Sequence, residues 1–215
     1  MPNALILGAS RGLGLGLAGE LTRRGWQVTG TVRREADRAA LEAAGASTAL
    51  ADITDPKSIA ALDVRDLDLL FVNAGISEPD GFETIGLEAI GHLFMTNAVA
   101  PVRAALALLD RVKPDGMVAF MSSRMGSVSL TAQDNKAMYR ASKAALNSLT
   151  RAKVASFGNR PVLSFHPGWV ETDMGGKGAD LDVATSVTGI ADVIEERRQI
   201  PGSAFLDYSG AVLAW

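Results

Sequence analysis

Short apolar runs and longer helical patterns alternate along this chain from its first residues. Residues 4–7 are apolar and end in Gly8. A glycine-rich turn follows, then Leu13, Leu17 and Leu21 at helical spacing, closed by Gly25. The same rhythm continues, with strands expected over 26–32, 47–50, 67–72, 117–121, 161–165 and 204–206. Helices are expected at 35–43, after Asp55-Pro56, at about 87–112 and at about 135–157. A last helix is marked by Val183, Val187, Ile190, Ala191 and Ile194, which form one apolar face. Such alternation predicts an α/β fold, a doubly wound Rossmann-type sandwich. Its sheet should be mostly parallel, of about seven strands, with helices on both faces.

Composition narrows the picture. With 215 residues, 47% of them hydrophobic, the chain can bury one sizeable core, and a single domain over 1–215 is expected. Its 21 basic and 24 acidic residues leave a net charge of −3, which argues against a nucleic-acid partner. The absence of cysteine excludes disulfides, thiolate metal sites and a cysteine nucleophile. His92 and His166 lie far apart without ligand-like spacing, so no metal site is expected. No apolar run is long enough to span a membrane. The start shows no secretory leader pattern, and a cytoplasmic protein is the expectation.

The segment Gly8-Ala9-Ser10-Arg11-Gly12-Leu13-Gly14 lies between the first strand and the first helix. Gly8 can turn the chain, Gly12 lets the backbone approach a pyrophosphate, and Gly14 permits close packing. The helix start then offers unpaired N–H groups to phosphate. The second strand ends in Thr31-Val32-Arg33-Arg34, with Val32 near the place where NAD-binding chains carry an acid. Arg11 and Arg33, with Arg34 as helper, could bracket a 2′-phosphate, so NADP(H) is favoured over NAD(H).

Tyr139-Arg140-Ala141-Ser142-Lys143 opens a long helix. Residues four apart share a helical face, so phenol and ammonium can serve one site, and the ammonium is expected to lower the phenol's pKa.

The three-residue gap after Gly8, together with Tyr139 and Lys143, resembles the short-chain dehydrogenase/reductase family. Within it, Ser122-Ser123-Arg124-Met125-Gly126-Ser127, His166-Pro167-Gly168-Trp169-Val170, and the ending from Phe205 to Trp215 are similar to the C-factor and sniffer-type carbonyl reductase branch. Leu7 and Val72 depart from the family's usual Thr and Asn. The resemblance implies a cofactor contact at Asp52 with its neighbour Ile53, and ribose approach at Asn73-Ala74-Gly75. It also implies nicotinamide cover from Pro167, Gly168, Val170 and Thr172. For catalysis it implies Tyr139, Lys143, Ser123 (with Ser122 as runner-up) and Asn97, the last supporting a water-linked proton path.

These residues imply hydride transfer between nicotinamide and a small carbonyl or alcohol, with Tyr139 as general acid/base. The competing reading is a non-catalytic NADP-sensing or signalling protein on the same fold. Trp169 and Met174 are expected on the substrate side, and 175–180 as a short glycine-rich lid. The stretch 129–136 lacks the paired glycines common in the branch. A homodimer or homotetramer through the two long helices is compatible with their Ala- and Leu-rich faces, such as Ala104, Ala105, Leu108, Ala144 and Leu146.

Overall fold

The structure, a computed structural model, describes residues 1–77, 82–130 and 135–215. Among these, seven strands form one sheet: β1 Asn3–Leu7, β2 Gln27–Val32, β3 Ser47–Leu50, β4 Leu67–Val72, β5 Val112–Met121, β6 Pro161–His166 and β7 Gly202–Asp207. Their order is β3-β2-β1-β4-β5-β6-β7, and every pairing is parallel. The helices are α1 Gly12–Arg23, α2 Arg38–Ala43, α3 Pro56–Ala60, α4 Leu87–Phe94, α5 Ala100–Ala107, α6 Ala137–Lys153 and α7 Val183–Arg197.

Side chains alternate along each strand, so one strand feeds two cores. Ala4 and Ile6 of β1 join Phe71, Phe165, Leu17, Leu21 and Ile190 on the face covered by α1 and α7. Leu5 and Leu7 join Val72, Phe120, Val102, Leu108 and Leu146 on the face covered by α5 and α6. Phe71 stacks on Phe165 at 6.0 Å, and Phe120 meets Phe157 edge-on at 6.2 Å. Ala104, Ala105, Leu108 and Leu146 are all buried in the second core. They pack against the sheet and offer no surface to a second subunit.

The helix expected over 87–112 is divided. A π-helical turn, Met95–Val99, separates α4 from α5, and a 3-10 turn leads into β5 already at Val112. Pro101 supplies a reason: it has no N–H for the carbonyl of Asn97 four residues back, so the ladder cannot close there as an α-helix. β5 accordingly starts five residues earlier than the apolar run alone suggests.

β1 lies between β2 and β4, where the chain order reverses direction across the sheet. A crevice opens at the carboxyl ends of the strands at such a switch point. Among the described residues no helix is long and apolar enough to cross a membrane.

Candidate active site

A cleft of about 1040 Å³ occupies that crevice. Gly8 leaves β1 with φ +88°, and a Cβ there would lie 2.8 Å from the Ala74 Cα. The turn is tied down from both neighbouring strands. The Gly8 N–H donates to the Thr31 hydroxyl at 2.9 Å, and Asn73 Nδ2 donates to the Gly8 carbonyl at 2.7 Å. Gly14 serves this turn rather than the sheet: a Cβ on it would come within 2.2 Å of the Gly8 oxygen and 2.6 Å of Asn73 Nδ2.

Gly8, Ser10, Arg11, Gly12, Leu13, Arg33, Asp52, Ile53, Asn73, Ala74 and Gly75 all line the cleft. Asp52 accepts hydrogen bonds from the Thr54 N–H and hydroxyl. Burial alone would raise its pKa, but those two bonds and the charges of Arg33 and His92 hold it below the usual carboxylate range. Arg11 and Arg33 both line the cleft, and the charges of both reach Asp37. Arg34 does not join them; it forms a two-bond pair with Asp37 at 2.7 and 2.9 Å. Arg11 meets Asp173 in an exposed ion pair that spans the mouth of the cleft.

At the other end, Tyr139 and Lys143 both face the cleft from α6. Lys143 donates to the Met121 carbonyl at 2.9 Å, and its Nζ stands 5.8 Å from the Tyr139 ring centre. Burial pulls the Lys143 pKa down to about 8. The phenol does not behave as the sequence suggests. Burial pushes Tyr139 up to about 12, with a hydrogen bond between it and Ser123 opposing the rise. The ammonium, itself buried and spent on a carbonyl, does not offset the loss of water around the ring.

Ser123 caps the 3-10 turn Arg124–Gly126 by accepting from the Met125 N–H at 3.1 Å, and its hydroxyl also bonds to the Tyr139 phenol. Of the two serines it is Ser122 that lines the cleft, but its hydroxyl donates to Asn147 Oδ1 of α6 at 2.6 Å. Asn97 lies in the π turn, fully buried. Its amide holds the chain after β4, accepting from the Ile76 N–H and donating to the Ile76 carbonyl, each at 2.8 Å. It also donates to the Ser142 hydroxyl at 3.0 Å. Its side chain does not line the cleft, but a Cβ on Gly75 would sit 3.3 Å from both Asn97 Oδ1 and Lys143 Nζ.

The loop after β6 closes the site. Pro167, Thr172 and Met174 line the cleft. Gly168 instead packs on Leu181 and Tyr208, and Val170 is buried in a bridge to Leu181. The glycine-rich segment is folded onto Thr172, whose hydroxyl accepts from the Gly175 N–H at 3.0 Å. Trp169 turns away from the cleft and donates its indole N–H to the Gly175 carbonyl at 2.9 Å. Residues 131–134 of the stretch flagged before Tyr139 lie outside the described residues.

Several lining residues carry no sequence signal. Thr31, Ile76, His92, Thr96 and Val183 come from five elements and loops. The Thr31 contact alone was open to a register argument, since Thr31 lies one residue before the end of β2, beside β1. Among the described residues no cluster of three or more metal-ligating side chains occurs.

His166 ends β6 with Nδ1 buried and without a hydrogen-bond partner. Burial first, then the Arg124 charge, depress its pKa from 6.5 to about 4, against the pull of Asp207. An imidazole held neutral costs nothing at pH 7, but the unfolded chain takes up the proton first as pH falls. Stability is therefore expected to drop by about 1–3 kcal/mol between pH 6.5 and 4, allowing for partial exposure. Denaturant melts at both ends of that window should show the drop in the wild type and a flatter profile in His166→Asn. Identical profiles would sink this assignment.

A crevice at the switch point of a parallel sheet, with a glycine turn at one end and a Tyr–Lys pair at the other, defines a dinucleotide-binding oxidoreductase fold. The short chain dehydrogenase pattern matches residues 2–180, and the chain belongs to that family. It is 34% identical to the C-signal protein of Myxococcus xanthus over 156 residues, 69% of this chain and 93% of that one. A carbonyl reductase from Pseudomonas aeruginosa PAO1, solved in complex with NADP, is 41% identical, with TM-score 0.90 and full coverage of both chains. A short-chain dehydrogenase/reductase from Burkholderia multivorans with bound NADP is 37% identical, with TM-score 0.94, covering 100% of this chain and 99% of that one.

Proposed function

We propose that this protein is an NADP(H)-dependent carbonyl reductase in which Tyr139 is the proton donor. The observation that carries the reading is the Tyr139–Lys143 pair lining a cleft that also holds Arg11 and Arg33, with Ser123 bonded to Tyr139. NADPH, when bound, supplies the hydride. The residues present fit it: glycine at 8 and 14 lets the turn close tightly on Ala74 and on itself, where a Cβ would clash, and the free N–H groups of α1 suit a pyrophosphate. Asp52 and Ile53 suit the adenine, Asn73, Ala74 and Gly75 the ribose, and Pro167 and Thr172 the nicotinamide side. Gly168 and Val170 shape that side from behind.

With its pKa near 12, Tyr139 is a phenol at neutral pH, the form that can protonate a carbonyl oxygen as hydride reaches the carbon. Ser123, bonded to the Tyr139 phenol, would turn its hydroxyl to that oxygen to orient and stabilise it. Lys143 holds the ribose beside Tyr139, and Asn97 fixes the Ile76 segment against them. A sensor would need only the cofactor half of this cleft, so the assembled acid, donor and lysine favour an enzyme.

Ser123→Ala is expected to lower kcat by about 10²–10³, the usual loss for one such donor. Steady-state rates on a panel of aldehydes and ketones would check it, and an unchanged kcat would remove Ser123 from the mechanism. The cofactor choice is tested by titrating NADPH and NADH against wild type and Arg33→Ala. Loss of one charge-assisted contact should weaken NADPH about 10- to 100-fold, with NADH unaffected. Equal effects on both would argue against a 2′-phosphate at Arg33. The Arg11–Asp173 pair does not prevent Arg11 from helping, because an exposed pair is worth only about 0–1 kcal/mol.

A further inference from the structure

Residues 127–130, after the Ser123-capped turn, are held by a part of the chain that the mechanism above does not use. After β7 the chain turns at Asp207, whose carboxylate accepts from the N–H groups of Ser209 and Ala211. It then runs back antiparallel, with a bridge from Leu206 to Val212 and a bond from the Leu213 N–H to the Phe205 carbonyl at 2.8 Å. This return delivers Trp215 to a three-way junction. Its ring packs on the fully buried Phe205 of β7, with centres 5.4 Å apart. The Arg151 guanidinium, from the helix that carries Tyr139 and Lys143, lies over the same ring at 5.3 Å. The Trp215 carbonyl accepts from the Ser129 hydroxyl at 3.3 Å.

Ser129 is part of the loop that continues from the Ser123-capped turn. Its hydroxyl meets that of Ser127 at 3.2 Å, and Ser127 in turn accepts from the Leu130 N–H at 3.3 Å. Ser127 is fully buried, directly after the 3-10 turn. Trp215 is thus joined at once to the last strand, to the Tyr139 helix and to the loop leaving Ser123. The same loop shows Val128 and Leu130 as exposed apolar side chains, suited to the apolar flank of a substrate.

We propose that Trp215 is a positioning residue, which sets the loop 127–130, and with it the placement of Ser123 and the carbonyl substrate, relative to the Tyr139 helix. Its effect on turnover rests on the reductase reading; its effect on the loop does not. The cofactor end of the cleft touches none of these residues, so the two halves of the site should separate under mutation.

The test compares Trp215→Ala and Trp215→Phe with wild type, after melting curves confirm that each is folded. Three quantities are read: the NADPH dissociation constant, kcat and KM for a carbonyl, and amide hydrogen exchange of residues 127–130. In Trp215→Ala, kcat/KM should fall about 10- to 100-fold, as small misplacements remote from the chemistry can produce. NADPH binding should stay within about twofold, and exchange in 127–130 should quicken. Phe retains the ring and should restore most of the loss. Unchanged exchange and unchanged kcat/KM in a folded Ala variant would overturn the proposal. So would a parallel loss of NADPH binding that Phe does not rescue, since that is general destabilisation. If Trp215→Ala does not fold, Ser129→Ala removes only the hydroxyl that grips the Trp215 carbonyl. It should quicken exchange in 127–130, and no change there would equally overturn the proposal. If the wild type binds NADPH but reduces no carbonyl, the reductase reading fails, while the exchange data still decide the role of Trp215.

Discussion

Tyr139→Phe is expected to lower carbonyl reduction by about 10²–10⁴, the range set by loss of a positioned general acid. The ring that fills the site is kept, so NADPH affinity should change by no more than about twofold. The size of the effect follows from the environment. Burial holds the phenol at about 12, so it stays protonated, and the Lys143 ammonium is already bonded to the Met121 carbonyl. Single-turnover reduction followed by NADPH absorbance would measure the loss directly. Turnover retained in the variant would show that the proton comes from another group and would end the proposed role of Tyr139.

Gly14→Ala should produce the second large effect, at the opposite end of the cleft. The added methyl would lie 2.2 Å from the Gly8 carbonyl oxygen, a backbone atom, and 2.6 Å from Asn73 Nδ2. Something must move: the Gly8 carbonyl belongs to the glycine turn, and Asn73, just after β4, ties that turn down. Displacing them breaks the 2.7 Å bond between Asn73 and Gly8. We expect a stability loss of about 1–3 kcal/mol, as for other forced overpacking, and a fall in NADPH affinity of about 100-fold as the turn loses its shape. Gly19 on the same helix is the control. A Cβ there would meet only the Ala44 methyl at 3.6 Å, so Gly19→Ala should stabilise by about 0.5–1 kcal/mol. Equal behaviour of the two variants in thermal melts and NADPH titration would show that the close approach at Gly14 does not matter.

Much of the architecture was legible because strand and helix periods differ and each strand has two apolar faces. Ala4 and Ile6 against Leu5 and Leu7 read as a strand buried on both sides, and the sheet confirms it. The helix over 87–112 was misjudged at one place. Hydrophobic spacing does not register the extra residue of a π turn, although Pro101 carried a local hint of a break. Similarly, the small residues Ala104 and Ala105 fit either a partner helix or the sheet by spacing alone, and packing assigned them to the sheet.

For the site, the glycine turn and the Tyr139–Lys143 pair are local signals, since both depend on residues a few positions apart on one turn or one helix. Their order along the chain already placed them at one edge of a parallel sheet. What the linear order does not contain is distance between elements. Ser122 and Ser123 differ in partners that belong to α6: Asn147 takes the Ser122 hydroxyl, while Ser123 bonds to Tyr139. Arg34 left the cleft because Asp37 lies within its reach, and Trp169 left it for the Gly175 carbonyl. The direction of the Tyr139 pKa depends on how much water the fold removes from the ring, which no spacing rule reports. The junction at Trp215 joins β7, α6 and the loop after Ser123, segments brought together only by the sheet order. Sequence alone determined the periodic elements and the local motifs, because their interactions are between near neighbours. The tertiary structure decided which side chains share a partner, lose their water or face the cleft, because those depend on packing between segments remote along the chain.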